Sequence, residues 1–374
     1  MRIGFDLRPF LKQETGVGVY FRHLLFELAA IDAANEYFLF SASWKDRFPR
    51  DRVPPFRRMN FRDLKVPVRA VDFLWQRLGG PALDRVFGTR LDLTHSPSPL
   101  FLPTRGKKVV TVHDLFFLDS PELADKEARR VFVGRAGRAI QAADGVLTIS
   151  QFCRRAILER FRVDEGRIKV IPHGLDKSFG REPSAEDMDR VRKGLAPAGP
   201  FLLFVGALEP RKNLVRLLEA LKILSGRGLD APLLVVGRPG GDSERVTQAV
   251  GRLGLDSRVR LIGYLDGTTV RCLYRLAAAF VFPSLAEGFG LPIVEAMASG
   301  LAVAASGTSA IPEVAGGAAM LFDPTSAEDI AEKVGRLLED GELRKSLIEK
   351  GKRRAADFDW RRTAEETLGF YHAI

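Results

Sequence analysis

At 374 residues, with 46% apolar and 28% charged residues, the chain has the makeup of a water-soluble globular protein with room for two domains. No apolar run approaches the ~20 residues of a membrane span, and Met1-Arg2-Ile3-Gly4-Phe5 reads as a first strand rather than a signal-peptide core. Cys153 and Cys272 lie far apart without metal-ligand spacing, which fits a reduced cytoplasmic setting, and the net charge of +10 calls for an anionic partner.

Residues 2–9 are expected to form a strand, followed by a loop with Thr15-Gly16-Val17-Gly18 and an amphipathic helix from about Tyr20 to Ile31. Glycines in such a loop let the backbone approach a phosphate, although a simple turn explains Gly16 and Gly18 as well. The dinucleotide pattern GxGxxG is incomplete because position 21 is Phe, which disfavours a nicotinamide oxidoreductase. After a strand at Tyr37–Ser41 the character changes. Between Arg47 and Arg90 eleven basic residues face four Asp, supplying +7 of the net charge, with Phe56, Phe61, Phe73, Leu74 and Trp75 among them. A second basic segment, Arg129, Arg130, Arg135 and Arg138, falls on an expected helix near Pro121–Ala143. Mixed cations and aromatics suit an anionic membrane surface. A solvated face with snorkelling arginines is the plainer alternative. Nucleic acid is not expected, since no helix-turn-helix, RNP or finger pattern is present.

Strands then alternate with helices: Leu91–His95, Lys107–Leu115, Gly145–Ser150, the helix Gln151–Phe161, and Ile168–Pro172. That alternation predicts a parallel, doubly wound α/β sheet with functional groups at the carboxyl ends of its strands. His113-Asp114, Ser150 and His173-Gly174 occupy those ends; His113 also reads as an ordinary hydrogen-bonded structural histidine. Residues 176–199 are polar and read as a linker. The triplets Asp187-Met188-Asp189 and Asp357-Phe358-Asp359 follow no apolar strand and read as solvated charge, so no metal site is expected.

The second half repeats the pattern, with strands at Phe201–Gly206, Pro232–Gly237, Val259–Leu265, Ala278–Ser284, Leu301–Ser306 and Ala319–Phe322. Arg211 and Lys212 follow the first of these, where paired cations suit a diphosphate. The stretch 280–304 reads strand, glycine-rich loop, helix, strand, with Pro292 at the helix start and Gly300 at its end. Glu287 and Glu295 flank that helix start. Such acids could bind the hydroxyls of a sugar or ribose beside a phosphate, or could merely complement the helix dipole. A last amphipathic helix is expected from Asp359 to His372.

Glu287-Gly-Phe-Gly-Leu-Pro-Ile-Val-Glu295 resembles the E-x7-E motif of retaining family 4 glycosyltransferases, and Gly206 with Glu209-Pro-Arg-Lys-Asn213 resembles that family's donor-diphosphate loop. Gly16-Val-Gly18, Thr111-Val-His-Asp114 and Thr148-Ile-Ser150 are similar to its amino-terminal motifs. The resemblance implies a GT-B fold: two Rossmann-like doubly wound domains facing across a cleft. The first would span 1–176 and the second, donor-binding, 177–357, with 358–374 crossing back to the first. It implies a metal-independent transfer with retained configuration and no cofactor. Arg211 and Lys212 would neutralise the departing diphosphate, Gly16 and Gly18 would meet it, Glu287 would hold donor-sugar hydroxyls, Glu295 the ribose, and His113 would lie near the reaction centre. Gly206, Gly288, Phe289, Gly290 and Leu291 complete the implied donor site.

Phe5-Asp-Leu-Arg-Pro9, Thr15–Tyr20 and Ser309–Gly317 resemble bacterial GDP-mannose-dependent mannosyltransferases of surface-polysaccharide assembly. The implied donor is GDP-mannose, and the acceptor is a glycan or polyprenyl-linked glycan at the inner face of the cytoplasmic membrane. A UDP-sugar transferase and a sugar-nucleotide epimerase of the same fold are the alternatives. A catalytically idle binding subunit is disfavoured by the intact Arg211, Lys212, Glu287 and Glu295.

Overall fold

The computed structural model describes residues 1–8, 11, 16–100, 102–119 and 135–374. Pro9, Thr15, Arg129 and Arg130 lie outside the described residues. The chain divides into two compact units. One takes in Met1–Leu118, residues 135–174 and Asp359–Ile374, and the other Leu175–Phe358.

The first unit contains β1 (Arg2–Asp6), β2 (Glu36–Ala42), β3 (Met59–Leu64), β4 (Leu93–Ser96), β5 (Lys107–Val112), β6 (Gly145–Thr148) and β7 (Ile168–Val170). Among the described residues they make one sheet in the order β3-β2-β1-β4-β5-β6-β7, with every pairing parallel. Register follows burial: Ile3, Gly4 and Phe5 of β1 lie opposite Leu93, Thr94 and His95 of β4, all buried. The last helix, Trp360–Ala373, belongs to this unit and packs on the helix Gly16–Ile31. Its Trp360, Ala364, Phe370 and Tyr371 join Phe5, Phe21 and Leu24 in one apolar core. Gly174 lets this helix close in, because a Cβ there would sit 2.2 Å from the Trp360 backbone nitrogen.

Three expectations need correcting here. The helix begins at Gly16 rather than Tyr20, so Gly16 and Gly18 lie in its first turn and not in a preceding loop. The basic stretch 47–90, expected to present its cations and aromatics together at a surface, contains β3 and the helices Val68–Arg77 and Leu83–Phe87. Of its aromatics, Phe56 and Trp75 are buried, and Phe56 stacks on Tyr37 with 3.8 Å between ring centroids. Finally, the polar segment 176–199 carries a helix, Ala185–Gly194, capped by the Ser184 side chain. On it Asp187 pairs with Arg190 and Asp189 with Lys193, the solvated arrangement expected of that triplet.

The second unit holds β8 (Leu202–Val205), β9 (Leu233–Val236), β10 (Val259–Gly263), β11 (Ala279–Phe282), β12 (Val303–Ser306) and β13 (Met320–Phe322). Their order is β10-β9-β8-β11-β12-β13, again all parallel among the described residues. Strands such as Leu202–Val205 and Ala279–Phe282 are apolar throughout because helices cover both faces of a parallel sheet. In each unit the strand order reverses once, between β1 and β4 in the first and between β8 and β11 in the second. Ligands of doubly wound sheets bind beyond the carboxyl ends of the strands at such a reversal.

Candidate functional site

The second unit's reversal point gathers the charged residues. The loop after β8 forms a single turn of 3-10 helix, Pro210–Lys212, carrying both cations. The loop after β11 carries Glu287. Lys212 Nζ donates to Glu287 Oε1 at 2.5 Å, and an Arg211 guanidinium nitrogen lies 2.9 Å from the same oxygen. Arg211 also pairs with Glu209 at 2.9 Å and donates to the Ala286 carbonyl. Lys212 is buried, with its ammonium 4.8 Å from the centre of the Phe282 ring.

Burial alone would raise the pKa of Glu287, but Arg211 and Lys212 outweigh it and hold the carboxyl down at about 2. Burial lowers the pKa of Lys212, and Glu287 opposes that shift. One carboxylate thus holds two cations close together, which an unpaired Arg–Lys neighbourhood would resist by repulsion.

Three loops are stitched around this cluster. Leu285 N donates to Arg211 O at 2.8 Å. Glu287 N donates to the Ser309 hydroxyl at 3.1 Å, and Ala310 N donates back to Glu287 O at 3.2 Å. Ser309 accepts a positive φ of 57° in this position. Asn213, also left-handed at φ 58°, donates from its side chain to the Pro283 and Pro324 carbonyls, joining the loops after β8, β11 and β13. Ser309 and Asn213 were visible in the sequence only as members of motifs; their positioning work depends on long-range contacts.

Glu295 is placed differently. It stands on the helix Leu291–Ala298, whose N-cap Gly290 adopts φ 101°, a conformation that side chains rarely take. Pro292 falls at the second residue of that helix, one position beyond the expected one. Tyr274 OH donates to Glu295 Oε2 at 3.1 Å. Burial pushes the Glu295 carboxyl up to about 7; Tyr274 acts against the shift, and the charge of Asp176 adds to it. Tyr274 and Asp176 carried no sequence signal, because a buried tyrosine on an amphipathic helix reads as core. The Phe289 side chain is not available to a ligand: it is buried, edge-on to Phe358 at 5.3 Å between centroids. A donor role for Phe289 is thereby confined to its backbone.

His113, Gly16 and Gly18 belong to the first unit. His113 follows β5, and its Nε2 lies 2.9 Å from the Pro97 carbonyl, which can only accept. The proton is therefore on Nε2, leaving Nδ1 to accept from His173 Nε2 at 3.3 Å. Burial lowers the pKa of His113 to about 4, so the ring is neutral near pH 7. The Tyr20 ring, from the helix that starts at Gly16, packs edge-on against His113 at 4.8 Å. A second buried chain runs from Tyr371 OH through His95 and the Thr111 hydroxyl to Tyr20 OH.

Two parallel α/β sheets, each with one Rossmann-type reversal of strand order, define a GT-B architecture, and the second carries a pair of cations held on a carboxylate at its reversal point. Residues 15–179 match the model of Glycosyltransferase Family 4 and residues 186–354 that of Glycosyl transferases group 1. The chain belongs to this family of glycosyltransferases. It is 29% identical, over 100% of both chains, to the O-antigen chain mannosyltransferase B of Escherichia coli. Among solved structures it resembles sucrose-phosphate synthase from Thermosynechococcus elongatus, with a TM-score of 0.76 and 22% identity over 100% of this chain and 98% of that one. It also resembles Anabaena HepE in complex with UDP and glucose, with a TM-score of 0.76 and 20% identity over 100% of both.

Proposed function

We propose that this glycosyltransferase moves mannose from GDP-mannose to a glycan or polyprenyl-linked acceptor in surface-polysaccharide assembly, with retention and without a metal or cofactor. The observation that carries the reading is the placement of Arg211 and Lys212 on Glu287 where the strand order reverses between β8 and β11. Glycosyl–phosphate cleavage leaves a diphosphate, and preorganised cations aimed at developing negative charge lower that barrier. In this reading Arg211 and Lys212 meet the diphosphate, with backbone from Gly206, Gly288, Gly290 and Leu291 around it. Glu287 holds sugar hydroxyls and Glu295 the ribose. Gly16, Gly18 and His113 act from the first unit. The end-to-end likeness to an O-antigen mannosyltransferase supports mannose as the sugar.

The protein is proposed to work peripherally at the inner face of the cytoplasmic membrane. No helix among the described residues is long and apolar enough to cross a membrane. The basic content of residues 47–90 supports attraction to an anionic surface. Donor hydrolysis screened across GDP- and UDP-sugars tests the donor, since slow hydrolysis needs no acceptor. Release of GDP from GDP-mannose is expected. A UDP-sugar donor is the second reading, favoured by the fold likeness to a UDP-binding protein. Turnover of UDP-sugars alone would replace GDP-mannose, and sugar interconversion without free diphosphate would point to an epimerase.

A further inference from the structure

Exposed apolar side chains concentrate on the helix Val68–Arg77 and the residue after it. Phe73 is 59% and Leu78 67% exposed, and Leu74 is exposed beside them. Leu74 and Leu78 are four residues apart and share a face. The helix is locked in this orientation from its other side. Arg8, bonded to Asp6 at the end of β1, donates to Asp72 at 2.8 Å and lies 4.5 Å from the centre of the buried Trp75 ring. Asp72, the only acid of the helix, shares the Arg8 cation with Asp6.

Two residues past Leu78 the chain enters the wall of a cavity of about 550 Å³, lined by Gly80, Pro81, Arg85, Arg90 and Arg105 among others. Trp75 Nε1 donates to the Pro81 carbonyl at 3.1 Å, tying this wall to the helix. The three arginine side chains are exposed and make no ion pair among the described residues. The acid in the wall, Asp84, is buried and accepts from Leu91 N, Arg105 N and the Thr104 hydroxyl, each at 3.0 Å. Those donors hold it as a buried carboxylate, and with three exposed arginines around it the cavity remains cationic on balance. Arg90 and Arg105 precede β4 and β5, so the cavity lies at the amino ends of these strands. His113 lies beyond the other end of β5, about 20 Å away for a six-residue strand.

We propose that this end of the first unit is a seat for an anionic phospholipid. The arginine cavity takes the headgroup phosphate, and Phe73, Leu74 and Leu78 enter the interfacial layer of the same bilayer. Charge complementarity and an apolar face beside it are the pairing that such a surface requires. The inference rests on the membrane reading above and narrows it from a 44-residue basic stretch to five of its side chains, with Arg105 added from beyond it.

The test is co-sedimentation of the full chain with vesicles of phosphatidylcholine alone or mixed with phosphatidylglycerol. Three substituted proteins are compared: R85Q/R90Q/R105Q, F73S/L78S, and a control, R50Q/R52Q/R57Q, drawn from exposed arginines of the same stretch. The cavity triple is expected to lower partitioning into phosphatidylglycerol vesicles roughly a hundredfold, three cations each acting at the surface. The serine pair is expected to lower it roughly tenfold, and the control to stay within about twofold of wild type. Donor hydrolysis equal to wild type shows that each variant is folded. A control that loses as much as the cavity triple overturns the seat and leaves a diffuse basic surface. Absence of wild-type binding to either vesicle overturns the membrane reading together with the seat.

Discussion

Lys212 and Glu287, 75 residues apart in sequence, share a 2.5 Å hydrogen bond between a buried ammonium and a carboxylate whose side chain is 10% exposed. Breaking a buried pair leaves an uncompensated charge and costs about 3–5 kcal/mol. Arg211, on the same oxygen, softens that cost for Glu287.

Arg211→Ala and Lys212→Ala are each expected to lose roughly 10²–10³ in turnover, the scale for one preorganised electrostatic donor. Lys212→Ala should also lower Tm, because Lys212 is the more buried cation. Steady-state turnover on protein shown to be folded by circular dichroism separates the two effects. Activity of both variants within threefold of wild type removes the diphosphate assignment.

The two glutamates should divide kinetically. Glu287 is proposed to touch the sugar that changes in the transition state, and Glu295 a ribose that does not. Transition-state-only interactions appear in kcat, and uniform binding appears in KM. Glu287→Gln should chiefly lower kcat, roughly tenfold or more for a charge-assisted hydrogen bond. Glu295→Gln should chiefly raise donor KM, by less than that near pH 7, where a carboxyl with a pKa of about 7 is half protonated, and by more toward pH 8. Donor saturation curves at saturating acceptor decide it: the reverse pattern exchanges the roles, and no change in either makes the pair structural.

The parallel sheets and the 206–213 and 287–295 motifs were legible because each is a local strand–loop–helix word. The order of strands and the burial of Lys212 were not, since they depend on partners far along the chain. Strand β3 was missed because Met59-Asn-Phe-Arg-Asp-Leu64 is an edge strand that carries charge, the device by which edges avoid further pairing. Gly16-Val-Gly18 reads as a phosphate-approaching loop or a turn, yet in the first turn of a helix a glycine N–H needs no helical partner. Phe56 and Trp75 looked like surface aromatics among arginines; their burial follows from Tyr37 and Arg8, which no local window contains.

The same two acids predict opposite pH dependences of stability. Glu295 has a folded pKa of about 7 against an ordinary 4.5, so the folded state holds the proton more tightly. Its contribution is full below 4.5 and is lost as pH rises to 7, on the order of 3 kcal/mol. Glu287, at about 2, contributes stability above 4.5 that is lost as pH falls toward 2. Thermal unfolding of the donor-free protein between pH 3 and 8 is therefore expected to show Glu295→Gln gaining on wild type toward pH 8. Glu287→Gln should lose less than wild type toward pH 3. Parallel curves for wild type and Glu295→Gln would mean that Glu295 ionises normally.

His173 is expected to act through His113. The Pro97 carbonyl fixes the His113 proton on Nε2, and His173 Nε2–H completes the tautomer by donating to Nδ1. Glutamine at 173 can place an amide N–H near the same point, whereas leucine cannot. His173→Leu should lower kcat roughly tenfold, the cost of leaving a buried acceptor unpaired, and His173→Gln should stay within about threefold. Since His173 also packs against Tyr20 and Trp360, both variants will lower Tm, so stability alone does not discriminate. Nitrogen chemical shifts of His113 do: wild type and His173→Gln should show a neutral ring protonated on Nε2 down to about pH 5, below which a pKa near 4 begins to charge it. In His173→Leu the Nδ1 signal should move for want of its donor. Equal loss of kcat in the two variants with an unchanged His113 spectrum would make His173 a packing residue only.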